Sequence, residues 1–180
     1  DEVRAALHAA LDAVLDADPA GASGSEAQAA IEGWHRLRVG VDGRMLAVLP
    51  TWEASGIWAV DGTPSTTTWL LHECGLARAH AAGLRRTALL ARPMPHVSGA
   101  LRAGTLPGAH ASALVRARRA DVAGQFDRDE AELVGLAQTL AYDAFRDELA
   151  AWRLRALEAL GHNEDDRAPG PLTEADRLQL

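Results

Sequence analysis

Apolar side chains recur at intervals of three and four residues along most of this chain, which is the spacing that one face of an α-helix requires. The pattern runs through residues 3–15, 30–52 and 145–160 of a chain of 180 residues. Alanine, the strongest helix former, makes up about a fifth of the chain, whereas aromatic residues make up only 4%. The sequence therefore predicts an all-α fold, a multi-helix bundle.

Caps and turn-forming residues divide this pattern into separate helices. Ser65 is a predicted N-cap, because its hydroxyl can accept a hydrogen bond from a backbone N–H of the first turn. Gly75 and Gly161 are predicted to stop helices. The predicted helices span 2–16, 26 to a bend or end near Pro50, 65–75, 76–92, 95–103, a segment through Leu133, Leu136 and Leu140, and 143–160.

Two further expectations concern side chains within these helices. Asp127 and Glu130, three residues apart, have the spacing of a capping pair for the helix that follows. Trp34 and Trp52 fall on the apolar face of the second helix, so both are predicted to lie in the core.

The middle of the chain contains an internal repeat. Residues 76–86 and 106–116 share six identities at a constant offset of 30 residues: a leucine, the triplet Ala-His-Ala, a second leucine and an arginine. Each copy follows a short predicted helix and a glycine, so two helix-turn-helix-like units are predicted within 61–120, packed as a pseudo-symmetric pair. His80 and His110 occupy matching positions in the two copies, near the start of a helix where backbone N–H groups can face phosphate.

The formal net charge of −7 conceals a reversal of sign along the chain. The charge sums to −6 over 1–64, +7 over 65–120 and −8 over 121–180, and all 18 basic residues are arginine. An arginine block in an acidic chain indicates a polyanionic partner, because a guanidinium binds phosphate through two hydrogen bonds. Alternatively, these arginines pair with acids of the flanking helices. The predicted nucleic-acid-binding residues are Arg78, His80, Arg85, Arg86, Arg102, His110, Arg116, Arg118 and Arg119.

The residues that common catalytic and metal sites require are not found in recognisable patterns. Cys74 is the only cysteine, so neither an intramolecular disulfide nor a cysteine-based zinc site is expected. The absence of lysine excludes a phosphate-binding loop of the Gly-rich, Lys-containing type, and no Gly-x-Ser-x-Gly motif occurs. We therefore expect no catalytic residue, metal site or cofactor in this segment.

No apolar run is long enough to span a membrane and no signal peptide is recognisable, so a soluble, cytoplasmic location is expected.

Several motifs of the central block, taken together, resemble one known family. The motifs are Asp61-Gly62, Ser65 to Leu70, Gly75-Leu76, and Leu101 to Leu106 followed by Ala109-His110-Ala111. They resemble the actinobacterial domain-of-unknown-function 222 family, although Ala77 and Pro107 stand where members often have serine. That resemblance implies a helical N-terminal region of a longer protein that ends in an HNH endonuclease domain. A divalent metal would then be expected only in the downstream nuclease.

These observations lead to a domain organisation and a function hypothesis. Residues 1–160 are predicted to form a helical domain, 161–175 a linker, and 176–180 the start of a truncated following domain. The leading hypothesis is a non-catalytic module that contributes nucleic-acid binding, with DNA as the expected partner. The alternative is a protein–protein interaction or self-association module, which implies a homo-oligomer. A third interpretation, a small-molecule-binding regulator, depends only on Trp58 and Trp69 near a turn.

Overall fold

The computed structural model describes residues 21–165, together with Ala5 and Ala9, and its side chains are described through Gly161. These residues form seven α-helices and a short 3-10 helix, Ile57–Ala59, and contain no strand. The predicted all-α multi-helix fold is therefore confirmed. The helices are α1 (Gly24–Ser55), α2 (Thr66–Glu73), α3 (Arg78–Ala91), α4 (Pro95–Ala103), α5 (Gly108–Ala117), α6 (Ala123–Thr139) and α7 (Tyr142–Asp165).

The chain divides into two compact units, residues 1–38 and residues 39–180. Within the first unit, the predicted helix over 2–16 lies outside the described residues except for Ala5 and Ala9, which are helical. Trp34 is 47% exposed, so the prediction that it lies in the core is wrong. Helical spacing shows that a face is apolar, but it does not show that another element covers that face.

Helix α5 is the centre of the second unit. It packs against α3, α4, α6 and α7. Half of its residues are buried, which is why its sequence is rich in small and apolar side chains. The largest fully buried side chains in and around it include Phe126, Phe145, Leu46, Met94, Leu101, Leu106, Leu114 and Leu133. Trp52 is partly buried against this core.

The two predicted helix-turn-helix-like units are present as the pairs α2–α3 and α4–α5. The second helices of the two pairs, α3 and α5, pack against each other. The equivalent residues Ala81 and Ala111 have no exposed surface, and their small side chains allow the two helices to approach closely. The residues that precede these helices also match: Ala77 has φ −61° and ψ 143°, and Pro107 has φ −63° and ψ 143°.

Two glycines of α1 lie against the turn between α4 and α5. A Cβ atom on Gly43 would be 2.8 Å from the carbonyl oxygen of Leu101, and a Cβ atom on Gly104 would be 2.8 Å from the Cα atom of Gly40. Gly104 also has a φ of +70°, which glycine adopts without strain. The glycines that weaken α1 as an isolated helix are therefore the residues that let it approach the second helix pair.

Some predicted helix ends differ from those observed. Ser65 is an N-cap as predicted, because its side chain accepts a hydrogen bond from the N–H of Thr68. Helix α1, however, continues through Pro50 to Ser55, and Pro50 is buried. Helix α7 continues through Gly161 to Asp165, since one glycine costs a helix only about 1 kcal/mol. The remainder of the predicted linker, 166–175, and the segment 176–180 lie outside the described residues.

The predicted capping pair of Asp127 and Glu130 is wrong. Helix α6 begins earlier, at Ala123, and has no side-chain cap. Asp127 is instead paired with Arg118, and the buried Glu130 accepts a hydrogen bond from the N–H of Val97 in α4. Both carboxylates have partners outside their own helix, which the spacing of a capping motif does not reveal.

Candidate nucleic-acid interface

Helix α3 presents a row of arginines on one side. Arg78 and Arg86 of α3, and Arg92 directly after its last residue, are exposed, and at 3.6 residues per turn they fall within an arc of about 120° around the helix axis. Within the described part of the chain, the guanidinium groups of these three arginines form no hydrogen bond or ion pair. We call them the α3 surface. It extends over about 21 Å, at 1.5 Å per residue.

The segment that contains the α3 surface has no negative side chain. No Asp or Glu occurs between Glu73 and Asp121, and the same segment has no Asn or Gln. The charge of the segment itself is therefore positive, although the chain as a whole is acidic.

Arg85, next to Arg86 in sequence, has a different environment. Its Nε donates hydrogen bonds to the two carboxylate oxygens of Glu53 at 3.0 and 2.9 Å. These bonds raise the pKa of the Arg85 guanidinium above its ordinary value. Arg85 thus connects α3 to α1, and the predicted binding role is not needed to explain its presence.

Arg118 and Arg119 are also paired within the chain. Arg118 makes two hydrogen bonds to Asp127, at 2.6 and 2.9 Å, which raise the pKa of Arg118 and lower that of Asp127. Arg119 lies 3.9 Å from Asp121, a longer and more exposed contact. Pairing of arginines with flanking acids, the alternative interpretation of the sequence, therefore holds for part of the block.

The two matching histidines of the repeat lie in different environments. His80 is exposed at the start of α3. His110 is only 7% exposed, and its Nε2 lies 3.1 Å from the carbonyl oxygen of Leu140. Since a carbonyl oxygen only accepts, Nε2 carries the proton. The prediction that His110 faces phosphate is corrected, because its ring is enclosed between α5 and α7 against Tyr142 and Phe145.

The remaining two predicted residues are exposed arginines. Arg102 lies in the last turn of α4, where its charge is favourable for the helix dipole. Arg116 lies in the last turn of α5 and donates a hydrogen bond to the Ser112 hydroxyl at 2.7 Å. Neither arginine is paired with a carboxylate within the described residues.

The structure also brings two predicted arginines, Arg116 and Arg119, together with two that were not predicted, Arg146 and Arg153. A cleft between α5 and α7 is lined by Arg116, Arg119, Arg146 and Arg153, with Tyr142 at its side. We call it the arginine cleft. Arg146 and Arg153 belong to the segment 121–180, whose net charge is −8, so the summed charge of that segment does not indicate a cluster of arginines. The available signal was their spacing of seven residues, which places both on one side of a helix.

The two tryptophans of the third interpretation have structural contacts. Trp58 donates a hydrogen bond from Nε1 to the carbonyl oxygen of Glu53 at 3.0 Å. Trp69 lies against Trp52, with ring centroids 4.7 Å apart. The rings of Trp52 and Trp69 line an apolar cleft of about 270 Å³, together with Met45, Val48, Leu49, Leu70 and Cys74. We call it the apolar cleft.

No group of three or more His, Cys, Asp or Glu side chains within 21–161 is arranged to hold a metal ion. Among the described helices, none combines the length and the apolar character that crossing a membrane requires.

Comparisons of this chain with protein-family models, with curated proteins and with solved structures found no match. What the chain binds is therefore inferred from the placement of its charged and apolar side chains.

Proposed function

We propose that this chain binds DNA through the α3 surface, without sequence specificity, as the helical N-terminal module of an HNH-endonuclease-type protein. The observation that carries the proposal is that Arg78, Arg86 and Arg92 lie on one side of α3 without a carboxylate partner among the described residues. The connection to an HNH endonuclease depends on the motifs at 61–76 and 101–111, which resemble those of the family named above.

Two features favour contact with phosphates over readout of bases. A row of about 21 Å is as long as about six base pairs of B-DNA, so its three arginines, about 12 and 9 Å apart along the helix, can each reach a different phosphate. Asn and Gln, which pair with adenine edges, are absent from the segment between Glu73 and Asp121. The arginines supply charge and bidentate phosphate contacts, and guanine is the one base edge that they read through two hydrogen bonds.

The adjacent residues Arg85 and Arg86 provide a matched test. Binding to a duplex of about 20 base pairs is measured by fluorescence anisotropy at several salt concentrations. Three phosphate contacts predict a slope of log affinity against log salt of about −2.7. Arg86→Gln should reduce the size of that slope by about 0.9, because one contact is lost. Arg85→Gln should leave the slope unchanged and lower the thermal stability, because Arg85 is bonded to Glu53.

Two results would contradict the proposal. One is a salt-independent affinity, since contact with phosphates releases counterions. The other is an equal change of slope in the Arg86→Gln and Arg85→Gln variants. Arg86 of the α3 surface would then contribute no more to DNA binding than Arg85, which is already paired with Glu53.

The apolar cleft supports a second candidate function, self-association with another copy of the chain. None of its seven lining residues is charged, and Val48 at its edge is 62% exposed. Val41, seven residues or about two helical turns before Val48 on α1, is also exposed. Sedimentation equilibrium tests this function: wild-type mass should rise with concentration, and Val48→Glu should abolish the rise. Leu154→Glu, at an exposed leucine of α7, is the control. A monomeric mass at all concentrations would exclude self-association.

A further inference from the structure

The arginine cleft has features of a ligand site that is separate from the α3 surface. Its volume is about 330 Å³, at the lower end of the roughly 300–1,000 Å³ typical of small-ligand clefts. Four of its lining residues are arginines and none is an acid. Its remaining lining residues are Ala113, Ala117, Tyr142, Leu149 and Ala150.

Helix geometry explains why these arginines converge. Tyr142, Arg146 and Arg153 are separated by four and seven residues, so they lie on the side of α7 that faces α5. Helix α5 contributes Arg116 from its last turn, and Arg119 follows shortly after that helix. Packing of α5 against α7 thus fixes the distance between the two arginine pairs.

One nearby carboxylate organises part of this cluster. Asp121 accepts a hydrogen bond from Arg153 at 2.8 Å and lies 3.9 Å from Arg119. Among the described carboxylates, Arg146 approaches only the exposed Asp147, at 4.0 Å, and Arg116 donates a hydrogen bond to the Ser112 hydroxyl. The four positive charges are therefore only partly compensated, and the guanidinium groups of Arg116 and Arg146 retain most of their donors.

We propose that the arginine cleft binds a compact phosphomonoester dianion, either inorganic phosphate or the terminal phosphate of a nucleotide. A phosphomonoester offers two negative charges and three acceptor oxygens in a small volume, which suits several guanidinium groups around one cleft. A phosphodiester backbone carries single charges in a long row, which suits the α3 surface better. Tyr142 also lines the cleft, and a tyrosine hydroxyl can donate a further hydrogen bond.

Ligand binding should stabilise the fold measurably. Like charges around the cleft repel one another, so an anion that neutralises them favours the folded state. With phosphate at ten times its dissociation constant, the melting temperature of the full chain should rise by about 3 °C or more. Potassium chloride at the same ionic strength controls for screening, and isothermal titration calorimetry gives the affinity for inorganic phosphate directly.

Variants on α5 and α7 test whether the cleft is the site. Arg116→Gln and Arg146→Gln should each weaken the affinity for phosphate about tenfold or more, because each removes a charge-assisted contact. Arg155→Gln removes the same charge from α7 outside the cleft and should leave the affinity unchanged. Circular dichroism without ligand verifies that each variant folds. Equal stabilisation by chloride, or an equal loss of affinity in the Arg155 variant, would overturn the proposal.

Two further titrations identify the source of the phosphate and separate this inference from the proposed function. If thymidine 5′-monophosphate binds more tightly than inorganic phosphate, and thymidine does not bind, the ligand of the cleft is a nucleotide. If thymidine 5′-monophosphate binds as tightly as inorganic phosphate or more weakly, the ligand is free phosphate. Arg86→Gln should bind phosphate as the wild type does, so failure of the cleft and failure of the α3 surface give different results.

Discussion

Glu130, on α6, accepts a hydrogen bond from the backbone N–H of Val97 at 2.8 Å, and its side chain is 2% exposed. Val97 is the third residue of α4, a helix whose own N-cap residue, Met94, makes no capping bond. The first N–H groups of a helix have no partner within the helix. A carboxylate from a residue 33 positions later in the chain therefore caps α4 and joins the two helices.

Glu130→Ala should lower the free energy of unfolding by about 2 kcal/mol, because it leaves a buried N–H of α4 without an acceptor. Glu130→Gln should lose less, since its amide oxygen can still accept. Urea unfolding measures both. Glu132→Ala, at an exposed position of the same helix, should change stability by no more than about 0.5 kcal/mol. Equal losses in the Glu130→Ala and Glu132→Ala variants would exclude a capping role.

Gly43→Ala should destabilise the protein by about 1–3 kcal/mol, because the new Cβ would lie 2.8 Å from the carbonyl oxygen of Leu101 and the backbone would have to move. Gly83→Ala is the matched control: it lies within α3, has nothing within 4 Å of its Cβ position, and should gain up to about 1 kcal/mol. Thermal unfolding of the two variants tests whether Gly43→Ala destabilises the protein and Gly83→Ala stabilises it. Stabilisation by Gly43→Ala would show that α1 does not approach Leu101 this closely.

His110→Ala should lower the free energy of unfolding by about 2 kcal/mol or more, because it removes a buried ring and its hydrogen bond to Leu140. His110→Gln should lose less, since its amide can donate to the same carbonyl group. His80→Ala, the equivalent substitution in the other copy of the repeat, should stay within about 0.5 kcal/mol, because His80 is exposed. Similar losses at the two positions would indicate that the copies have equivalent environments.

The pair of Arg118 and Asp127 should make stability depend on acid pH. The hydrogen bonds from Arg118 lower the pKa of Asp127 in the folded state. The pair therefore stabilises the protein above the unfolded pKa of about 4, and this contribution is lost as the pH falls through the folded pKa. Asp127→Asn should lose up to about 1 kcal/mol at pH 7, because the pair is partly exposed.

Urea unfolding at pH 7 and at about pH 3 measures that contribution, and the difference between wild type and Asp127→Asn should shrink at the lower pH. In an Arg118→Gln background the same substitution should have little effect at either pH, since its partner is gone. A difference that grows as the pH falls would have the wrong sign for a carboxylate with a lowered pKa.

The local features of the fold could be predicted from the sequence. The Ser65 cap, the bounds of the helix over 95–103 and the two helix pairs depend on signals that lie within a few residues of each other. Helix ends were less predictable when tertiary packing outweighed a local preference. Pro50 lies inside α1 because it is buried there, in line with Leu46 and Leu49.

The candidate site was predictable only in part. Arg78 and Arg86 are exposed as their predicted role requires, and Arg92 joins them although it was not among the selected residues. Arg85 differs from Arg86 because its partner, Glu53, is 32 residues away in the chain. No local pattern indicates which arginine will meet a distant acid. Arg146 and Arg153 were missed for the same reason, since their cleft exists only once α7 packs on α5.

The position of α5 between four other helices has a consequence for how the second unit opens. The α5 residues Ala111 and Ala113 to Val115 are buried, so their amide hydrogens should exchange with deuterium only when the whole unit unfolds. Arg116 and one wall of the arginine cleft belong to that helix. An anion held there would therefore slow exchange across α3, α4, α6 and α7 together, and not only at the residues that it touches.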